Sequence, residues 1–264
     1  MDQLTKAGRS FFIAAIAFFG LQHFLYGRFV NGLPPVPPWT SGGALAAYLV
    51  GAFLILASVG LATEGKALLS ATFVGLLFLL CVLFLHSQQF SAILYDPRAR
   101  TRALEPLALA GAAFVLAGTF SASEPRLPVC VVQKFVLAGR IVFALTLLIF
   151  GAQHFMYADF IAMLIPQWIP VHLFFAYFTG AALIAAGVSI TFNLWARLSA
   201  TLLGSMFLFW VLFLHAPRVM MQLHNGDEWT SAFIALAMGG GAFFIAGTMP
   251  ARKQAIESAS VTSG

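Results

Sequence analysis

The sequence is poor in charged residues. Asp, Glu, Lys and Arg make up only 9% of the 264 residues, whereas 61% are hydrophobic and the mean hydropathy is +0.92. A soluble domain carries about 25% charged residues. Because so few charges cannot cover a water-facing surface, a soluble globular protein is excluded. The composition predicts a polytopic protein of the lipid bilayer.

Other absences exclude further classes of protein. There are only two cysteines, Cys81 and Cys130, and no Cys-x-x-Cys, which excludes thiol–disulfide relay chemistry. No basic cluster is interleaved with aromatic residues, so the pI of about 9.6 does not indicate nucleic-acid binding. No cysteine accompanies the histidines, and Asp159 is the one carboxylate near the second pair of them, so no metal site is predicted.

Eight apolar segments are long enough to cross a bilayer, which requires about 20 residues. The predicted spans are residues 11–29, 44–62, 67–86, 103–120, 141–160, 173–192, 198–215 and 230–247. Residues 121–139, which include Pro125 and Pro128, are predicted to link two four-helix units, residues 1–122 and 123–264. The predicted fold is an all-α integral membrane protein.

The chain contains an internal repeat. Residues 19–29, FGLQHFLYGRF, recur as residues 150–160, FGAQHFMYADF, at an offset of 131 residues (150 − 19). Later the offset becomes 129 (211 − 82), where residues 82–86 and 211–215 both read VLFLH. A four-helix unit returns the chain to its starting side, so the copies are parallel rather than inverted repeats. We expect two similar four-helix bundles, each with its own core, related by a roughly twofold axis along the membrane normal.

The distribution of Lys and Arg predicts the orientation in the membrane, because cytoplasmic loops carry an excess of these residues. One side holds nine of them: Lys6, Arg9, Lys66, Arg126, Lys134, Arg140, Arg197, Arg252 and Lys253. The other side holds five: Arg28, Arg98, Arg100, Arg102 and Arg218. The richer side, with both termini, is predicted to be cytoplasmic.

Polar residues gather toward the predicted outer ends of the spans. The candidate binding residues are His23, Gln22, Tyr26 and His86 in the first half and His154, Gln153, Tyr157, Trp168, His215 and Arg218 in the second. Residues three or four apart share one side of a helix, which groups each histidine with its tyrosine. The histidines could line a polar pocket in each half. Alternatively, each imidazole could bond a backbone carbonyl freed at the proline-rich turns, with Trp168 and Arg218 as interfacial anchors.

Two histidines on facing helices suggest a haem, but their depths argue against one. Measured from the cytoplasmic end, the helical rise places His23 about 21 Å and His86 about 30 Å along their helices. Axial ligands of one iron must lie at nearly the same level. Haem is therefore disfavoured.

The second half resembles a known family. The residues that carry the resemblance are YADFIA at 157–162, AYFTGAA at 176–182, ARL at 196–198 and LHAPR at 214–218. They resemble DoxX and DoxX-like bacterial integral membrane proteins, and the first half looks like a diverged copy of the same unit. The resemblance implies a four-helix unit in the bacterial inner membrane. Since some relatives are subunits of quinone-linked oxidoreductases, it also implies a redox protein partner.

The leading hypothesis is therefore a redox-associated subunit that binds a quinone, or another flat lipid-soluble molecule, near the outer face. The four histidines would bond its carbonyl groups, supported by the adjacent glutamines and tyrosines, with His154 more important than His23. Electrons would need a partner, because no cofactor motif is visible. Two alternatives stay open: a small-molecule or lipid transporter, and a structural scaffold without chemistry of its own.

Overall fold

The computed structural model of the protein describes residues 2–29, 43–120 and 128–249. Within these ranges all regular structure is helical, and eight helices are long and apolar enough to cross a membrane. The prediction of an all-α, multi-pass membrane protein is confirmed.

Eleven α-helices lie within the described residues. In chain order they are α1 (Gln3–Tyr26), α2 (Ala44–Ala62), α3 (Ala67–Leu80), α4 (Phe90–Tyr95), α5 (Pro97–Phe120), α6 (Val129–Met156), α7 (Ala158–Leu164), α8 (His172–Phe192), α9 (Ala196–Trp210), α10 (Ala216–Met221) and α11 (Gly226–Thr248). Short 3₁₀ segments, Glu64–Lys66 and Ser87–Gln89, flank the third span of the first half. That span continues past α3 in a π-helical segment, Cys81–His86, and α9 continues in another, Val211–His215.

Capping groups, rather than the limits of the apolar runs, set several helix ends. The Asp2 side chain accepts a hydrogen bond from the first amide of α1, which ends at Gly27 in the left-handed region (φ 60°). Asn225 caps α11 by accepting from the amide of Asp227. Helix α5 begins at Pro97, whose missing N–H costs nothing at a helix start, and so precedes the predicted span at 103. The predicted linker 121–139 is helical from Val129, and residues 121–127 lie outside the described residues.

The two halves exchange helices. Within the first half α1 packs on α2, α2 on α3 and α3 on α5, and the second half repeats this order with α6, α8, α9 and α11. The first helix of each half then packs along the last helix of the other half, α1 on α11 and α6 on α5, and α5 also packs on α11. One core of buried side chains spans both halves and includes Phe12, Leu109, Phe143 and Phe244. The packing therefore differs from the predicted pair of bundles with separate cores.

Equivalent glycines in the two repeats make the exchanged contacts. A Cβ added to Gly240 would lie 2.7 Å from the carbonyl oxygen of Gly8, and one added to Gly111 would lie 2.6 Å from that of Gly139. Gly8 and Gly139 are equivalent in the repeat, as are Gly111 and Gly240. In lipid, helices gain no hydrophobic free energy by pairing, so close backbone approach at small residues drives their association. The contact of α1 with α11 and the contact of α6 with α5 are thus formed by equivalent glycines.

Candidate functional site

Polar side chains meet at the end of the bundle where α1 and α6 finish and α5 and α11 begin. We call this the histidine end, because His23, His86, His154 and His215 lie toward it. The glutamines next to His23 and His154 join the exchanged helices there. Gln22 Nε2 donates to the carbonyl oxygen of Gly226, the first residue of α11, at 3.2 Å. This hydrogen bond therefore links α1 of the first half to α11 of the second half.

Gln153 makes the equivalent contact in the second repeat. Its Nε2 donates to the carbonyl oxygen of Pro97 at 3.1 Å and to the Thr101 hydroxyl at 3.3 Å. Likewise, the Thr230 hydroxyl lies 3.3 Å from Gln22 Oε1. Both glutamines are buried, and Gln153 Oε1 has no hydrogen-bond partner among the described residues. The predicted separate pocket in each half is corrected here, because each glutamine faces the fourth helix of the opposite half.

The imidazoles of His23 and His154 are fixed by their own helices. Nδ1 of His23 lies 2.7 Å from the carbonyl oxygen of Phe19, and Nδ1 of His154 lies 2.8 Å from that of Phe150. A carbonyl can only accept, so each Nδ1 carries the proton, and each Nε2 is left as an acceptor. His23 is 1% exposed, and its Nε2 has no partner in the described part of the chain.

The histidine contacts differ in part from the alternative in which each imidazole bonds a carbonyl freed at a proline-rich turn. Each imidazole does bond a backbone carbonyl, but that carbonyl lies four residues earlier in the same helix and not at a proline-rich turn. A carbonyl at this position already accepts the helical amide hydrogen bond. Removing the imidazole therefore leaves no carbonyl without a donor. The first proline-rich turn, with Trp39, lies outside the described residues.

His154 lies among aromatic side chains of its own half. Its ring stacks on that of Trp210, at the end of α9, with centroids 6.2 Å apart and planes 17° apart. Its Cβ lies against α8, 2.6 Å from where a Cβ on Gly180 would be. Trp168 is 61% exposed and lies edge-on to Phe213 of the π-helical segment, at 6.1 Å. His154 is half-buried, and its Nε2 is the acceptor in this aromatic group.

The π-helical segments place the other two histidines. Both contain the VLFLH sequence, and both end at a histidine, His86 or His215. The first segment packs on α5 and the second on α11, beside the helix starts that the glutamines contact. Single π-helical turns are frequent at functional sites. His86 is buried, and His215 has a buried Nδ1 without a partner among the described residues.

Arg218 has a carboxylate partner that the candidate set omits. Its guanidinium lies 2.7 Å from Glu228 Oε1, and the two side chains are 29% and 11% exposed. Glu228 Oε2 is buried, with no partner in the described structure. The sequence feature that could have indicated Glu228 is the position of its carboxylate at the start of an apolar span. Trp210, one residue before VLFLH, was also missed, because its apolar surroundings make it look like a core residue.

The two tyrosines occupy different surroundings. Tyr26 is 37% exposed and lines a small pocket with Gln22, Gly226 and Thr230. The free volume of this pocket is about 10 Å³, enough for roughly one water molecule. Tyr157 is half-buried at the C-terminal cap of α6. Among the described residues, no three His, Cys, Asp or Glu side chains are placed to hold a metal ion.

Comparisons of the chain with protein-family models, with curated proteins and with solved structures found no match.

Proposed function

We propose that this protein is a DoxX-like, redox-associated membrane protein that binds a quinone or quinol at the histidine end of its second half. The observation that carries the proposal is the His154 imidazole, whose Nδ1 is committed to its own helix and whose Nε2 is an acceptor beside Trp210. Electrons would pass to or from a redox protein partner, because the sequence has no cofactor motif of its own.

The acceptor nitrogen favours the reduced form of such a ligand. An acceptor cannot bond a quinone carbonyl, but it accepts a hydrogen bond from the hydroxyl group of a quinol. The flat ring of a quinol matches the stacked, aromatic surroundings of His154, where ring contacts add to the free energy of burial. We therefore assign the hydroxyl group, rather than the carbonyl group of the original hypothesis, as the partner of His154.

The two halves are not equivalent as binding sites. His23 is fully buried and lies edge-on to Phe29 at 6.0 Å, whereas His154 is half-buried beside Trp210. A ligand reaches a half-buried nitrogen with less rearrangement of the packing. A transporter that rocks one half against the other is less well supported, because the exchanged helices tie the halves together.

We predict that His154→Ala abolishes co-purifying quinone or quinol while leaving the melting temperature in detergent nearly unchanged. The helical amide still satisfies the Phe150 carbonyl in the variant, so the loss of the ring orphans no backbone group. The measurement is lipid extraction and chromatography of the purified protein. His224→Ala is the matched control, because His224 is an exposed histidine at the same end.

Equal quinone content in His154→Ala and wild type, together with a clear fall in melting temperature, would mean that the imidazole is structural. A stability loss of about 1–3 kcal/mol would identify a polar group left unsatisfied by the substitution.

We also propose that the protein lies in the bacterial inner membrane with both termini in the cytoplasm. Reporter fusions after Gly65, Pro125 and Pro250 should then report the cytoplasm, and fusions after Pro35, Arg100 and Asn225 the outside. The reason is that the side with the termini holds nine Lys and Arg residues, whereas the other side holds five. An outside signal from the Pro125 fusion would contradict the four-plus-four arrangement.

A further inference from the structure

A single glutamate lies deep within α5, away from the residues used above. Glu105 is eight residues past Pro97 (105 − 97), which places it about 12 Å along the helix from the histidine end. The equivalent residue of the second half is Ile234, which is buried and apolar. The first half alone therefore carries a carboxyl group at this depth.

The face of α5 that carries Glu105 is turned toward other helices. Residues four and seven apart lie near one side of a helix, and here they include Thr101, Leu109 and Ala112. Thr101 contacts Gln153 of α6, Leu109 is 0% exposed, and Ala112 lies against Gly241 of α11. Glu105 is half-buried between these contacts. Its side chain therefore lies at the edge of the packed side of α5, because Arg102, three residues earlier, is exposed.

Within the described residues the Glu105 carboxyl group forms no ion pair and accepts no hydrogen bond, and the charge that acts on it is that of Arg102, three residues earlier on α5. Several titratable or charged side chains lie near the same end on α5 or on the elements packed against it: Arg98 and Arg102 on α5, Cys81 and His86 on the π-helical segment, Tyr95 on α4, His154 on α6, and Asp227 and Glu228 on α11. Glu228 is engaged by Arg218. An ionised carboxylate that forms no ion pair is disfavoured at this depth.

The next residue provides an acceptor for a proton on Glu105. Pro106 lies inside α5 and has no amide N–H, so the carbonyl oxygen of Arg102 lacks its usual helical donor. That carbonyl is three residues before Glu105, on the same side of the helix. A protonated carboxyl group has an O–H donor that can satisfy it, whereas an ionised carboxylate has none.

We propose that Glu105 is a proton-binding site inside the bundle. The carboxyl group is held in its neutral form and donates its hydrogen to the backbone oxygen freed by Pro106. This inference is independent of quinone binding, because it uses neither His154 nor Trp210.

The test is labelling by the hydrophobic reagent dicyclohexylcarbodiimide of the full chain in lipid vesicles. The reagent takes the proton of a neutral carboxylic acid at nitrogen, and the carboxylate oxygen then bonds its central carbon. Mass spectrometry of peptides should find the adduct on Glu105 and not on Glu228, which is ion-paired with Arg218. Labelling should decrease as the pH rises, disappear in Glu105→Gln and persist in Glu228→Gln.

A second readout separates an ionised carboxylate from an inaccessible acid. The infrared difference spectrum between wild type and Glu105→Gln should contain the C=O stretch of a protonated carboxylic acid. That band supports the proposal even if the reagent fails to reach the site, whereas the absence of both band and adduct overturns it. Protection of Glu105 from labelling by sodium chloride, but not by choline chloride at equal ionic strength, would identify a cation site and also overturn it.

Discussion

Gly240→Ala and Gly111→Ala should each lower the free energy of unfolding by about 1–3 kcal/mol, the usual cost of forcing extra atoms into a packed interior. Each added methyl group would lie 2.6–2.7 Å from a backbone oxygen of the opposing helix, Gly8 for one and Gly139 for the other. A flexible side chain could move aside, but backbone cannot, so the exchanged helices must separate along their contact. Leucine at either position should prevent stable folding.

The measurement is the melting temperature of the purified variants in detergent. Gly65→Ala is the control, because nothing lies within 4 Å of a Cβ at Gly65. Similar losses at Gly240 and Gly111 would support two equivalent exchanged contacts. A melting temperature for Gly240→Ala equal to that of the Gly65 control would contradict the packing of α1 on α11.

Arg218→Ala should destabilise the protein by about 1–3 kcal/mol, the usual cost of leaving a buried acceptor without its donor. The variant removes the hydrogen-bond and ion-pair partner of Glu228, whose side chain is only 11% exposed. One oxygen of that carboxylate already lacks a partner in the described structure. The double variant Arg218→Ala, Glu228→Gln should recover much of the loss, because the amide carries no charge.

A more exposed ion pair in the same chain provides the comparison for Arg218. Arg197 lies 2.7 Å from Asp2, but the two side chains are 33% and 31% exposed. Asp2→Asn should therefore cost no more than about 1 kcal/mol. Arg197 would keep its contacts with the carbonyl oxygens at the end of α11. A loss for Arg218→Ala as small as that for Asp2→Asn would show that Glu228 finds water or another partner when the arginine is gone.

The sequence predicts the number of spans well and their partners poorly, for a physical reason. The length of an apolar run shows whether a helix can cross a bilayer, so the eight spans could be predicted. Two helices, α5 at Pro97 and α11 after Asn225, begin earlier than their apolar runs. The exchange of first helices could not be predicted. Since both repeats carry Gly-Arg in the first helix, the pattern suits either fourth helix equally.

In the candidate site, contacts between residues close in sequence could be predicted, and contacts between distant residues could not. The bonds from His23 and His154 to the carbonyl four residues earlier follow from helix geometry and could have been predicted from position alone. The partner of Gln22 lies 204 residues away in sequence, beyond the reach of any local pattern. Glu105 occurs in only one of the two repeats, so the repeated pattern does not indicate it.

The contact between Gly8 and Gly240 also has a consequence for biosynthesis. Of the described helices, α1 is made before the others and its exchanged partner α11 after them. During translation α1 must therefore wait in the bilayer, with its glycine-bearing side covered only by lipid, until the helices between α1 and α11 have been inserted. The bundle cannot close around its central helices before α11 arrives. A chain shortened before α11 would leave that side of α1 uncovered, in a form that membrane proteases and chaperones can distinguish from the finished protein.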